Sequence, residues 1–274
     1  MVENMSHCDG LLLFVTRSNY FVSNPFLKQA RRIRFGHGFY SPMDAYGLGY
    51  ISNQSSSLSC NDYRMVRFRC GASDKGSRIE VYEFSSDRWR VVADKSFDRF
   101  SELPESSVCL RGTPYWIGYL NGKTFSTIQS FDFEKERFET LFLPPSSIGS
   151  SKLGNSLALG VFRGDQLSLL HKSRVTGKIH LWVMKKHWSK LMRIAIPEVA
   201  MFPKFSSYFI DNNGKLVLLN RGLRSINICI VGKGGDECQN VQCSDLVPSI
   251  GGSACYYVPS LLQVPGFVEA TRRS

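Results

Sequence analysis

The stretch Arg78-Ile79-Glu80-Val81-Tyr82-Glu83-Phe84-Ser85-Ser86-Asp87-Arg88-Trp89-Arg90-Val91-Val92 decides the fold class of this chain. Its first half alternates polar and apolar side chains and is rich in β-branched and aromatic residues, the pattern of a packed strand. Ser85, Ser86 and Asp87 then break the alternation with turn chemistry. A second short strand follows and opens with a large ring, Trp89.

The same order of strand, polar turn and aromatic-led strand recurs on the C-terminal side. Ile128 to Leu141 carries Phe138 at the matching place, and Ile179 to Ile194 carries Trp188. A second marker keeps the same spacing: a glycine opening an apolar strand, at Gly112, Gly164 and Gly214. Two markers sharing a period of about 50 residues match a kelch-type blade of four strands. Between Ala45 and Val92 a whole blade can be drafted as Ala45–Ile51, Asp62–Arg69, Arg78–Phe84 and Arg88–Val92.

The spacing therefore predicts an all-β, kelch-like propeller of five to six four-stranded blades, with a two-sheet β-sandwich as the alternative. One domain is expected over 1–274, with blades near 8–40, 45–93, 107–143, 153–196 and 204–260. Gly10 to Ile33 supplies three strands of the first blade. Cys255-Tyr256-Tyr257-Val258 is expected to supply the fourth and close the ring, which leaves only short protected edges. Trp89, Phe138 and Trp188 are read as core, filling the gap that widens between blades, because an aromatic buries roughly 150–250 Å².

Composition agrees with a globular chain. The 274 residues are 43% hydrophobic and 21% charged, which excludes a disordered chain. No dozen residues hold apolar positions at helical spacing. The early run Leu11-Leu12-Leu13-Phe14-Val15 follows Asp9 and is too short for a secretory leader, and no run reaches the roughly 18 apolar residues of a membrane span. Eight cysteines without a leader read as thiols in a reducing compartment, so an intracellular site, cytoplasm or nucleus, is expected.

The net charge of +11 attracts acidic partners and makes nucleic acid the alternative partner class. The basic clusters are Arg31, Arg32 and Arg34; Arg64, Arg67 and Arg69; and Lys185, Lys186 and Lys190. Each alternates with apolar residues and reads first as a solvated strand face.

A family resemblance rests on many short stretches in order. They include Ser6-His7-Cys8-Asp9-Gly10-Leu11-Leu12-Leu13, Asn24-Pro25, Tyr46-Gly47-Leu48-Gly49-Tyr50 and Tyr63-Arg64-Met65-Val66-Arg67-Phe68. Val81 to Arg90, Gly112-Thr113-Pro114-Tyr115-Trp116, Ser130 to Phe138, His180-Leu181-Trp182-Val183-Met184 and Tyr257-Val258-Pro259-Ser260-Leu261 continue the series. Each stretch alone is weak, but together they cover nearly the whole chain. The chain resembles the plant F-box-associated domain, type 1, the kelch-like C-terminal half of many plant F-box proteins.

The resemblance implies a protein-interaction domain, the substrate-recognition part of an SCF-type ubiquitin ligase receptor. An N-terminal F-box would dock on the Skp adaptor, and this domain would capture the target protein. Ubiquitin chemistry then lies in other subunits, so no enzyme activity is expected here. Only Met1 to Ser6 precede His7-Cys8-Asp9-Gly10, so no F-box is expected in the chain, and the Skp adaptor is a partner only if one is supplied.

The residues themselves predict no catalytic, cofactor-binding or metal-ligating set and no cofactor. Cys238 and Cys243 lack a second ligand pair for a tetrahedral zinc site. His171, His180 and His187 sit in one blade with no nucleophile elbow nearby. Gly36-His37-Gly38 and Gly47-Leu48-Gly49 lack the helix N-terminus a phosphate needs and read as positive-φ turn residues. Arg88, Arg137 and His187, each just before a wedge aromatic, form a possible basic rim for an acidic partner. Loops 52–61, 71–77, 146–155 and 232–244 are the candidate binding loops.

Overall fold

The structure, a computed structural model, describes residues 2–36, 38–52, 61–70, 78–93, 104, 107–119, 126–144, 155–173, 178–195, 207–211, 214–221, 226–232, 238–243 and 257–267. Among them are twenty strands and no helix, arranged as five antiparallel four-stranded sheets. Blade 1 is β1 (Val2–Cys8), β2 (Leu11–Thr16), β3 (Tyr20–Asn24) and β4 (Gln29–Ile33). Blade 2 is β5 (Asp44–Ile51), β6 (Asp62–Arg69), β7 (Ile79–Glu83) and β8 (Arg88–Val92). Blade 3 is β9 (Ser107–Leu110), β10 (Thr113–Tyr119), β11 (Ser126–Asp132) and β12 (Arg137–Leu141). Blade 4 is β13 (Asn155–Phe162), β14 (Gln166–Ser173), β15 (Lys178–Met184) and β16 (Trp188–Ala195). Blade 5 is β17 (Ser207–Ile210), β18 (Leu216–Arg221), β19 (Ile226–Val231) and β20 (Cys238–Cys243).

The molecule is a five-bladed β-propeller, which removes both the sixth blade and the sandwich. The first strand of each blade is innermost: β1 adjoins β5, β5 adjoins β9, β9 adjoins β13 and β13 adjoins β17. In-order antiparallel pairing puts the first-to-second and third-to-fourth turns at one end of the ring, the turn face. The links between blades and between second and third strands lie at the other end, the connection face.

The turn face is built from left-handed residues. Asp9-Gly10 and Arg111-Gly112 are two-residue hairpin turns with φ of 49° and 85°, and of 51° and 79°. Positive φ at both positions matches the right-handed twist of the flanking strands. The marker glycines Gly164 and Gly214 also have positive φ. Lys28, Asp87 and Glu136 take the same left-handed conformation just before β4, β8 and β12.

The wedge residues occupy equivalent places and use one device. The Trp89 indole donates to the Arg34 carbonyl at 3.0 Å, and the Trp188 indole donates to the Phe142 carbonyl at 2.8 Å. Each acceptor lies just past the outermost strand of the preceding blade. Phe138 cannot donate and instead packs its ring 5.0 Å from Phe68 and 5.1 Å from Phe131. Trp116 repeats the interblade bond further in, from its indole to the Tyr46 carbonyl at 3.1 Å. So three of the four tryptophans tie one blade to a backbone carbonyl of the blade before it.

An ion pair repeats beside the wedge. Arg31, third in β4, meets Asp87 of the next blade at 2.6 Å. Arg90, third in β8, meets Glu136 of the blade after that. Both acids are the left-handed residues that precede an outermost strand.

Several expectations change. The fourth strand of the first blade is β1, so Tyr257 and Val258 are not in a strand; Cys255 and Tyr256 lie outside the described residues. Tyr257–Phe267 instead runs as a strap over blade 1. The Asn24 side-chain amide donates to the carbonyls of Ser260 and Leu262, and Arg31 donates to that of Pro265. Gln29 Oε1 accepts the Val264 amide. A strap held by side chains leaves no strand signature in sequence.

Part of the expected loop 232–244 is β20, a strand whose polar outer-edge composition mimics a loop. Cys238 and Cys243 are its two ends, so their α-carbons stand about 17 Å apart and cannot share an ion. Gly47 and Gly49 are inside β5, not in a turn. An added β-carbon at Gly47 would sit 2.8 Å from Pro114 Cβ, beside the Trp116 ring. Gly38 does have φ of 79°, while Gly36 makes room for Trp89; His37 lies outside the described residues.

Of the cluster Arg64, Arg67 and Arg69 only Arg69 is exposed, so the three do not form one solvated face. Arg67 is 4% exposed and bonds Asp44 through Nε at 2.9 Å and Glu80 through Nη1 at 3.3 Å. Blades bury both faces, so alternation in a middle strand does not report exposure.

Candidate functional site

The axis holds a cavity of about 370 Å³ enclosed by β1, β9, β13, β17 and the strap. His7, Asp9, Cys109, Tyr208, Val258 and Ser260 are among the lining residues. Among the described residues Asp9 is the only acid there, and neither a Lys nor an Arg lines the cavity although the chain is basic overall. Tyr208 is turned away from ionisation by burial and shares a hydrogen bond of 2.7 Å with Ser168.

The strap closes over the turn-face end of this cavity. His7 Nε2 accepts the Gly10 amide at 2.9 Å, so the ring acts as a neutral acceptor. Burial holds the His7 pKa below its ordinary value, which keeps that acceptor available. The Tyr257 ring packs edge-on against His7 at 5.6 Å. Ser260 Oγ donates to the Asp9 carbonyl, and an added β-carbon at Gly10 would lie 2.6 Å from Ser260 Cβ. A side chain at position 10 would therefore lift the strap.

Beside the cavity mouth the strap and the turn between β3 and β4 together carry an apolar patch. Phe26 is 56% exposed, Leu261 79% and Val258 47%. They are fixed relative to one another because Asn24 grips both sides. Its Oδ1 accepts the amides of Phe26 and Leu27, while its Nδ2 holds the strap carbonyls. The Tyr257 hydroxyl also accepts the Phe26 amide at 3.3 Å. Rigid exposed rings of this kind are the usual anchors of protein interfaces. Sequence reading passed over Phe26, since Asn24-Pro25 registered only as a family stretch.

The other candidates fare differently. His171 and His180 face each other across β14 and β15 with ring centroids 5.9 Å apart, while His187 is exposed in the next turn. His171 is fully buried, and burial with the neighbouring His180 and Lys190 pushes its pKa down to about 4. It is therefore neutral at pH 7. Arg88 and Arg137 are exposed at the starts of β8 and β12, but Arg137 pairs with Glu139 at 3.2 Å within its own blade. A continuous basic rim is thus interrupted at blade 3.

Of the arginine clusters, Arg31 and Arg64 are likewise paired, to Asp87 and to Asp62. Lys185, Lys186 and Lys190 remain exposed on blade 4. Loops 53–60 and 71–77, and most of 146–155, lie outside the described residues, as do 233–237 and Ser244. Among the described residues no three His, Cys, Asp or Glu side chains gather as metal ligands, and no helix is long and apolar enough to cross a membrane.

This ring of five blades, with a strap over one end, agrees with what comparison with known proteins shows. The chain belongs to the F-box associated beta propeller domain family, whose model matches residues 1–264. It is 31% identical to the Arabidopsis thaliana protein described as putative F-box protein At3g22650, over 96% of this chain and 76% of that one. It is 32% identical to the Arabidopsis F-box/WD-40 repeat-containing protein 1, over 98% of this chain and 71% of the relative. A third Arabidopsis relative, putative F-box/kelch-repeat protein At3g22730, is 32% identical over 96% of this chain and 72% of its own length.

Proposed function

We propose that the chain captures a target protein through its turn face, as the recognition module of an F-box-type ubiquitin ligase receptor, and performs no chemistry itself. The observation that carries this reading is the patch formed by Phe26 in the turn between β3 and β4 and by Val258 and Leu261 on the braced strap, exposed beside the mouth of the axial cavity. Family membership supports the role of interaction domain, and the relatives named above carry F-box in their descriptions. Joined to an F-box, such a module would reach the Skp adaptor and place its target near the ubiquitin-transferring subunits.

A cytoplasmic or nuclear setting is part of the proposal. Cys8, Cys70 and Cys109 are free thiols, the form that a reducing compartment maintains. The nucleic-acid reading loses support because Arg31, Arg64 and Arg67 are each paired with a carboxylate of the chain itself.

The test is affinity capture followed by mass spectrometry, with wild type and a Phe26→Asp/Leu261→Asp double variant compared side by side. Loss of two apolar anchors should weaken a specific partner at least about tenfold, or about 1.4 kcal/mol. An unchanged set of captured proteins, or recovery of RNA in their place, would overturn the proposal.

A further inference from the structure

The inner strands of blades 1 and 3 meet at two thiols. Cys8 ends β1 and Cys109 lies in β9, and their sulfurs are 2.7 Å apart. A disulfide needs about 2.05 Å, so only a small approach separates the thiol pair from a covalent bond. The two residues are 101 positions apart in sequence, and β1 adjoins β9 directly at the axis.

The two thiols differ in access. Cys8 is 1% exposed and sits in the core cluster with Leu11, Leu13 and Tyr63. Cys109 packs against the same cluster yet also lines the axial cavity. A small oxidant entering the cavity therefore reaches Cys109 first. Burial and the neighbouring Cys109 raise the Cys8 pKa, which disfavours Cys8 as the first nucleophile and leaves it the second step, where its partner sulfur is already at hand.

The geometry points to Cys8 and Cys109 as a redox modification site that a hydroperoxide converts into a disulfide joining blade 1 to blade 3. The Cys109 sulfur attacks one peroxide oxygen and breaks the O–O bond. The released hydroxide takes the thiol proton and leaves as water (or as the alcohol from an organic hydroperoxide). Cys109 is then a sulfenic acid. The Cys8 sulfur attacks the Cys109 sulfur and expels hydroxide, which takes the Cys8 proton and becomes water. Two electrons pass from the two thiols to one peroxide.

The bond closes a loop of roughly 100 residues and removes the Cys109 thiol from the cavity wall. Loops of that size gain most from cross-linking, and for a chain of this length the melting temperature should rise by on the order of 10 °C. This site is independent of the turn-face reading, since it needs no protein partner.

The experiment oxidises the purified chain with one equivalent of hydrogen peroxide, blocks remaining thiols and maps the peptides by mass spectrometry. A Cys8–Cys109 linked peptide is expected, along with a higher melting temperature that a phosphine reductant reverses. Cys109→Ser should abolish both changes and leave the reduced melting temperature close to wild type. Recovery of Cys8 and Cys109 as separately blocked or over-oxidised peptides, with no link between them, would overturn the inference. Peptide mapping of the wild type alone decides it, even if a variant fails to fold.

Discussion

The junction of blades 1 and 2 and the junction of blades 3 and 4 share the same wedge but fill it differently. At both, an indole donates to the carbonyl just past the preceding outermost strand, from Trp89 to Arg34 and from Trp188 to Phe142. Around Trp89 stand Tyr20, Tyr82 and Phe35, beside the buried ions Arg67, Asp44 and Glu80. Around Trp188 the filling is Leu159, Leu167, Leu169 and Ile128, with neutral His171 near Trp182 and Lys190. The first junction is also clasped from outside, because Arg31 joins Asp87, the Phe84 and Pro265 carbonyls and the Tyr82 hydroxyl.

The difference teaches that a repeated aromatic sets the ring while local chemistry sets how firmly each joint holds. The strapped joint supports the apolar patch on the turn face. It is the side of the ring where Phe26 and Leu261 gain fixed positions.

The sharpest way to break the comparison is Arg67→Ala. It leaves Asp44 and Glu80 buried with only their rim partners Arg69 and Arg78. Chemical denaturation should show a loss of about 3–5 kcal/mol, the cost of removing one member of a buried ion pair. A loss under about 1 kcal/mol would mean that the network contributes no more than a surface pair.

Acid should act on the other joint. His171 has a folded pKa of about 4 against an ordinary value of 6.5. As pH falls below 6.5 the unfolded chain takes up the proton first. The stability of the neutral ring is therefore complete above 6.5 and drains away between 6.5 and about 4. The full loss is on the order of 3 kcal/mol. His180 and His7 are lowered in the same direction and add to it. Denaturation midpoints at pH 7 and pH 4.5 measure the slope, and His171→Phe should flatten it.

The smallest effect should be the most alike at the two joints. Trp89→Phe and Trp188→Phe each keep a ring and lose one interblade hydrogen bond, so each should cost about 1 kcal/mol. Values differing by more than about 1 kcal/mol would show that the shared bond is not the common element.

Much of this was readable from the chain. Trp89, Phe138 and Trp188 with Gly112, Gly164 and Gly214 announce the blade period, because wedge and left-handed turn both demand particular residues. The depth of Arg67 was hidden, since its partners lie 23 and 13 residues away and only folding brings them near. The strand β20 was hidden because an outermost strand tolerates polar residues on an exposed edge. The strap was hidden because its partners are the side chains of Asn24, Gln29 and Arg31. The interaction patch follows the strap, so it too needed coordinates.

Hydrogen–deuterium exchange on the complex with a captured target would locate the binding face. The turn-face reading predicts slowed exchange in peptides covering 9–10, 24–28 and 257–262, with little change at 38–43 on the connection face. Protection confined to the connection-face peptides, with the strap exchanging as in the free chain, would contradict it.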